Sequence, residues 1–469
     1  MYRLSRFLFA PLQSQKRMED IRPHLHKCVF VVGPTASGKS AVAIQLAKVF
    51  DGEVVNCDAM QSYKGLDIVT NKASASDQQG IPHHLMSFID PFATPYVPFD
   101  IRKFTDVAVA TITDIIGRKK MPIVCGGTNY YVQSLLLKSS LVNESSENEE
   151  DDELLTAELD SRDSKSLYAE LQRIDPIMAV KLHPNDKRKI LRALQVFHKK
   201  GIPYSEILVQ QESKGMGTFR PSNMRYDAMV LSVTAPRDVL NRRIDERVEQ
   251  MFENGLLNEI RDFHKRLGQP EVFPNQGLLQ SIGFKEFLPF LQSAESLGEC
   301  KEAMKGRTRR YAIRQAHWIQ HQFVNRGLPI FEIRSPWLSH EPEGYFGDIT
   351  AAVNGFCATP SCYDSIYNNN SDIRGKLTNR TVKITPASGT ALSRPQTTLT
   401  WKKVRCESCN ITMNGENEWT VHLQSSKHKR QLRYLKEVVN RPSQAKKPRL
   451  QSNDSESTTA PATDTHGGL

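Results

Sequence analysis

No stretch of the 469 residues approaches the ~20 consecutive apolar residues that a bilayer-crossing helix needs, which excludes a helical membrane-spanning protein. Cysteine is scarce. Only eight are present, and only Cys406 and Cys409 stand in a close metal-ligand spacing, so a disulfide scaffold is excluded and the expected compartment is reducing. Internal repeats are missing, which removes the solenoids and propellers. Acid is in short supply as well: Lys and Arg number 62 against 52 Asp and Glu, a net charge of +10. The excess is local. Residues 401–450 hold twelve Lys and Arg, four Glu and no Asp, so 12 minus 4 places +8 of the total there. A basic surplus concentrated in one segment points to a polyanionic partner.

What is present reads as several domains. Residues 1–27 form a basic N-terminal segment. In it Arg3, Arg6, Lys16 and Arg17 precede any acid, and Leu4, Phe7, Leu8 and Phe9 fall at roughly helical spacing. That is presequence chemistry, and it predicts a mitochondrial share beside a cytoplasmic one. Residues 28–32, CVFVV, read as a buried strand, followed by a glycine-rich turn and a helix from Lys39 to Phe50 with Val42, Ile44, Leu46 and Val49 inside. Short strands are predicted at Glu53 to Asn56 and Pro122 to Cys125, with an amphipathic helix from Phe99 to Arg118 between them. The alternation predicts an α/β fold: a P-loop NTPase-like parallel sheet core over 28–154, completed over 228–334 by a strand at Ala228 to Val233 and basic helices. Between these parts, 155–227 reads as a helical insertion. Seven acids and no base between Glu144 and Glu153 read as a solvated loop. Residues 335–400 read as a flexible linker, 401–437 as a small finger and 438–469 as a disordered tail.

Gly33-Pro34-Thr35-Ala36-Ser37-Gly38-Lys39-Ser40 matches G-x-x-x-x-G-K-[ST] in the required place, after an apolar strand and at a helix start. Backbone N–H groups and the helix dipole can surround a diphosphate, Lys39 adds charge, and the Ser40 hydroxyl suits magnesium. The loop alone leaves open whether its ligand is ATP or another diphosphate. Asp58, after the second strand, would serve a kinase as a metal ligand. However, an amide and an aromatic follow it in Asn56-Cys57-Asp58-Ala59-Met60-Gln61-Ser62-Tyr63, a set able to read a nucleobase edge.

Seven blocks together resemble the tRNA dimethylallyltransferases, specifically the eukaryotic branch with a C-terminal zinc finger. They are GPTASGKS at 33–40, DAMQSYKGLDI at 58–68, IVCGGTNYY at 123–131, KLHPNDKRKILRALQVF at 181–197, RRIDERVEQM at 242–251, QSIGFKEF at 280–287 and TRRYAIRQAHWI at 308–319. The resemblance implies transfer of a dimethylallyl group from dimethylallyl diphosphate to N6 of the adenosine on the 3′ side of the anticodon. It also implies that the loop at 33–40 holds the leaving diphosphate. By the same resemblance Asp58 is the base, Arg247 the diphosphate arginine and Thr128 a catalytic residue. The implied tRNA contacts are Asp58, Ala59, Met60 and Gln61; Arg188, Lys189, Ile190, Leu191 and Arg192; and Gln280, Ser281, Ile282, Gly283 and Phe284. The basic cluster Arg309, Arg310 and Arg314 is assigned to tRNA with them. One departure is visible: Ala59 stands where the family usually carries serine, so a hydroxyl contact there is lost. A nucleotide-kinase-type phosphotransferase and a non-catalytic RNA-binding protein remain the alternative readings.

Cys406-x2-Cys409-x12-His422-x5-His428 satisfies the C2H2 spacing at every interval, which predicts a closed, structural zinc site. The five-residue gap between the histidines resembles matrin or U1-type fingers, with Lys427, Lys429, Arg430 and Arg433 as a phosphate-binding edge. Trp419 is expected to pack the finger's small core. Lys446-Lys447-Pro448-Arg449 is a short nuclear-import-like run. His83 and His84 lack companion ligands and read as structural, and Tyr130 and Tyr131 read as packing residues. The expected cofactors are magnesium and zinc, the partners tRNA and dimethylallyl diphosphate, and the expected state a monomer.

Overall fold

A computed structural model of the chain describes residues 25–93, 99–138, 149–213, 217–267, 277–293, 295–336, 342–361, 366, 371–379, 381–385, 403–409, 411–414, 419, 422–425 and 428–433. The presequence segment up to residue 24, the acidic run up to residue 148, Lys427, the import-like run at 446–449 and the tail at 438–469 lie outside the described residues.

A seven-stranded sheet carries the larger of two units. Its strands are β1 (Lys27–Val32), β2 (Gly52–Asn56), β3 (His83–His84), β4 (Met121–Cys125), β5 (Asp227–Thr234), β6 (Phe331–Arg334) and β7 (Val382–Ile384). They lie side by side in the order β3-β2-β4-β1-β5-β6-β7. All pairings are parallel except β6 with β7. The four strands expected from sequence are all present. Helices α1 (Lys39–Val49), α2 (Ala75–Gln78), α3 (Ile101–Gly117) and α4 (Asn129–Leu136) follow the first strands. Because both faces of β1 are covered, it reads as an unbroken apolar run. Phe30 packs on one side with Phe104, Ile112 and Leu135, while Val29 and Val31 pack on the other with Val42 and Leu46. Val49, expected inside, is exposed, because α1 ends there and Phe50 turns inward instead.

The insertion between β4 and β5 is helical, as expected, through α5 (Glu149–Ser161), α6 (Ser164–Ile174), α7 (Pro176–Lys181), α8 (Lys187–Lys200) and α9 (Tyr204–Ser213). One correction concerns the acidic run, which from Glu149 onward is helix rather than loop. Acids at a helix N-terminus meet the positive end of its dipole, and Leu159 anchors the following turn in the interior. After β5 come α10 (Arg237–Glu253), α11 (Leu256–Leu267), α12 (Phe284–Leu291) and the long α13 (Leu297–Trp318).

A larger correction concerns the expected linker at 335–400. Much of it folds onto the core, as α14 (Pro342–Ala358), α15 (Ser371–Leu377) and the edge strand β7. Tyr345, Ile349, Ala352, Val353 and Phe356 recur at i, i+4, i+7, i+8 and i+11, an apolar stripe that the surrounding Asn and Ser residues disguise. Lys27 Nζ fastens the stripe's end: it donates to Asp227 Oδ2 at 2.8 Å and to Thr359 O at 2.6 Å, over the Phe356 ring at 4.3 Å. Residues 386–400 of that stretch lie outside the described residues.

The second, smaller unit holds the finger. Strands β8 (Lys403–Cys406) and β9 (Ile411–Asn414) form an antiparallel hairpin, followed by helical turns at 422–424 and 428–433.

Candidate active site

Strands β2, β4 and β1 are neighbours, and their C-terminal ends carry the three loops that build one cavity. The loop after β1 runs from Gly33 to Ser40. Its Ala36 sits in the left-handed region at φ 65°, and Gly38 at φ 96° caps α1. After β2, the Asn56 side chain shapes the turn: its Oδ1 accepts from the Asp58 N–H at 3.1 Å, and its Nδ2 donates to Leu85 O at 2.9 Å. The loop after β4 passes so close to β2 that a Cβ on Gly126 would lie 2.1 Å from the Cys57 carbonyl. That contact requires glycine.

The cavity encloses about 470 Å³ and is lined by Thr35, Lys39, Ser40, Asp58, Gly127, Arg243, Arg247, Tyr311 and Gln315 among others. Lys39 Nζ donates to Pro34 O at 2.8 Å, and Arg247 Nη2 donates to Thr35 Oγ1 at 2.9 Å. Arg247 Nε is buried without a hydrogen-bond partner among the described residues, an unmet donor of the kind an anion satisfies. The Asp58 carboxylate accepts from the Met60 N–H at 3.1 Å. Thr128 Oγ1 accepts from the Ala59 N–H at 3.0 Å, so this hydroxyl ties the loop after β4 to the loop that bears Asp58.

The cavity lining carries Lys39, Arg243 and Arg247 against the carboxylates of Asp58, Asp77 and Glu246. Burial raises the Asp58 carboxyl above the usual carboxylate range, although N–H groups of Met60, Gln61 and Gly127 and the Lys39 charge oppose it. Burial also pulls the Lys39 ammonium down to about 8, against the attraction of Cys125 and Asp58. Arg247 falls to about 10, first through burial and then through its neighbour Arg243. Each of the three keeps partial contact with solvent through the cavity. Two buried cations held below their ordinary values in one concave site are an arrangement that an anion would relieve.

A model of the IPP transferase family matches residues 61–322, more than half the chain, and a model of isopentenyl transferases matches residues 26–86. The chain belongs to the tRNA dimethylallyltransferase family. The human tRNA dimethylallyltransferase is 35% identical over 431 residues, covering 86% of this chain and 85% of its own length. That of Saccharomyces cerevisiae is 33% identical, covering 87% and 92%. A solved structure of a eukaryotic dimethylallyltransferase acting on tRNA superposes with a TM-score of 0.66 at 30% identity, over 88% of this chain and 98% of that one. Residues 403–429 match a zinc-finger model described as double-stranded RNA-binding.

Against this family background, most of the remaining expected residues stand away from the cavity. Outside the cavity lining, Arg188 is exposed on α8, while Lys189 pairs with Asp186 at 2.6 Å and Lys187 pairs with Asp160. Leu191 and Arg192 are half-buried, and Ile190 is fully buried, so it supports α8 from within. At 280–284, Gln280 accepts from Lys285 at 2.6 Å and Ser281 is buried. Ile282 and Phe284 pack in a cluster with Tyr63, Leu66 and Val69, and Gly283 donates to Glu286 at 2.8 Å. This block therefore buttresses the loop after Asp58. Gln61, by contrast, lines the cavity and turns its amide to Thr70 O and Asn71 O. Met60 is half-buried, as is Ala59, which packs against the core. On α13, Arg309 pairs with Asp245 of α10, while Arg310 and Arg314 are exposed, the latter 5.7 Å from the Tyr311 ring centre.

Tyr131 stacks on Phe104 at 3.9 Å, whereas Tyr130 is exposed. His84 binds Glu53 at 2.6 Å, a structural contact at the far end of β2. Three groups of the site, Asn56, Tyr311 and Gln315, escaped the sequence reading, and a fourth, Arg243, reads from sequence only as the partner of a neighbouring acid, Asp245 or Glu246. Tyr311 and Gln315 lie one turn apart within the 308–319 block, and Arg243 one turn before Arg247. Helical spacing from a known site residue was the signal that could have found them.

In the finger, the ligand atoms of Cys406, Cys409, His422 and His428 lie within 4.8 Å of one another. His428 Nδ1 stands 3.5 Å from Cys406 Sγ and 3.3 Å from Cys409 Sγ. His422 Nε2 is buried with no hydrogen-bond partner among the described residues, which fits a nitrogen whose lone pair serves a metal. Trp419 is half-buried, 6.2 Å from the His422 ring.

Proposed function

We propose that the chain transfers a dimethylallyl group from dimethylallyl diphosphate to the N6 amine of an adenosine next to the 3′ side of a tRNA anticodon. The observation that carries this reading is the position of Asp58. Its carboxylate shares one cavity with the phosphate loop, Lys39 and Arg247, so a base and a diphosphate cradle face the same space. The N6 lone pair forms a bond to C1 of the prenyl group, the C1–O bond breaks, and its electrons leave on the diphosphate. Asp58 takes the N6 proton. Lys39, Arg247 and the loop N–H groups meet the charge that grows on the leaving group. Membership of the prenyltransferase family favours this reading over a nucleotide kinase or a non-catalytic RNA binder.

The cavity suits magnesium, since the Ser40 hydroxyl is a hard oxygen and a diphosphate would add more. Magnesium held by Ser40 and the substrate would supply Lewis-acid stabilisation of the leaving group. The two thiols and two imidazoles of the finger suit a closed zinc site. The test of the reading incubates purified protein and magnesium with unmodified tRNA and labelled dimethylallyl diphosphate. Label should enter the tRNA; transfer of label from ATP alone would overturn the assignment.

The finger then serves as a second RNA contact, with Lys429, Arg430 and Arg433 on its described edge. Cys406→Ser should unfold it, because a domain this small has too little core without its metal. tRNA affinity should weaken and its salt dependence flatten, while the single-turnover rate at saturating tRNA stays within about twofold of the parent, the phosphate contacts being lost away from the chemistry. An unchanged affinity and salt slope would assign the finger another role.

A further inference from the structure

One cavity residue, Gln315, reaches the two substrate-facing loops at once. It projects from α13 and is 4% exposed. Its Oε1 accepts from the Thr35 N–H at 2.8 Å, in the loop after β1. Its Nε2 donates to Gly127 O at 2.9 Å, in the loop after β4. The amide orientation is unambiguous, because a backbone N–H can only donate and a carbonyl can only accept. Ionised glutamate keeps the acceptor and loses the donor, methionine keeps the volume and loses both, and asparagine is a methylene too short.

Each loop that Gln315 grips is tied in turn to reacting groups. Thr35 Oγ1 accepts from Arg247, and Thr128, the next residue after Gly127, holds the Ala59 N–H beside Asp58. A Cβ placed on Gly127 would lie 2.3 Å from Gln315 Nε2 and 3.3 Å from Asp58 Oδ2, so the amide and the carboxylate flank a single glycine. Arg309, six residues earlier on α13, pairs with Asp245, two residues before Arg247 on α10. The helix that presents Arg310 and Arg314 to solvent is therefore bolted to the diphosphate loop at Thr35 and to the arginine helix at Asp245.

We infer that Gln315 is a positioning residue whose amide sets the separation between the diphosphate loop and the loop that carries the Asp58 base. The inference rests on the prenyl-transfer reading. An ångström of misplacement between electrophile and base can lower a rate about 10²-fold with every reacting group still present. An ionised glutamate at 315 would also bring a second carboxylate beside Asp58, whose other charged or titratable neighbours are Lys39, Arg247, Tyr311, Tyr131, Cys57 and Cys125. Like charge holds Asp58 protonated to a higher pH.

The experiment compares parent, Gln315→Met and Gln315→Glu proteins in single turnover at saturating tRNA and dimethylallyl diphosphate, with every rate corrected for the folded fraction from thermal melts. Gln315→Met should lose about 10²-fold in rate with tRNA affinity unchanged. Gln315→Glu should move the acid limb of the pH–rate profile up by about one unit, which a merely structural residue would not do. Calorimetric titration with inorganic diphosphate and magnesium, without tRNA, should show about tenfold weaker binding to Gln315→Met, because the cradle is no longer held open. If the parent fails to transfer label, the functional reading falls while the diphosphate titration still decides the role of Gln315. The inference is overturned if diphosphate binding to Gln315→Met equals that of the parent. It is also overturned if the rate losses vanish on correction for folded fraction, or if the acid limb of Gln315→Glu does not move.

Discussion

Asp58→Asn should lower the single-turnover rate about 10²- to 10⁴-fold, the range of a general base, while tRNA affinity stays near that of the parent. Asparagine preserves the shape and can still accept from the Met60 N–H, so the loop after β2 keeps its form. It removes only the proton acceptor. The pH profile gives an independent reading. Burial raises the Asp58 carboxyl, so the parent rate should fall as pH drops through a value above the ordinary carboxylate range. The Asn variant should show no such limb. A parent-like rate in Asp58→Asn would remove the residue from the role of base.

Lys39→Ala and Arg247→Ala should each lower the rate about 10²- to 10³-fold, the loss expected for one donor to a developing anion. The two side chains come from separate elements, α1 and α10, but line one cavity. They act on the same diphosphate, so the double variant should lose less than the product of the single losses. Full additivity would mean that they serve different ligands. Lys39 also has a pH signature of its own. With its ammonium pulled down to about 8, the empty site begins to lose this charge as pH rises through that value. Affinity for dimethylallyl diphosphate should therefore weaken above pH 8, and Lys39→Ala should lack that dependence.

The interior of the fold was legible because β1 and β5 are apolar runs and because glycines follow β1 and β4. β1, β2, β4 and β5 all lie where composition put them. The rim was not. β3, β6 and β7 span two to four residues, too few for any period to emerge, and the apolar stripe of α14 stands between polar flanking segments. In the site, motif and resemblance pointed to the phosphate loop, Asp58, Thr128 and Arg247; Lys39, Ser40, Asp58 and Arg247 line one cavity, and Thr128 stands behind it, holding the Ala59 N–H. The hydrogen bonds that hold them relative to one another were not legible. Thr35 and Gln315 are 280 residues apart, and no local pattern encodes a contact made only when the sheet has closed.

The strand order also sets a schedule for the ribosome. β1 lies between β4 and β5, yet β5 leaves the ribosome roughly 100 residues after β4, a wait of about 5 to 20 s at 5 to 20 residues per second. During that interval the most apolar strand of the protein has one open edge, a template for pairing with another chain. β6 then repeats the exposure until β7 arrives from the far side of α14 and α15. A nascent chain of this protein should thus engage a chaperone twice, with release timed by Thr234 and by Ile384.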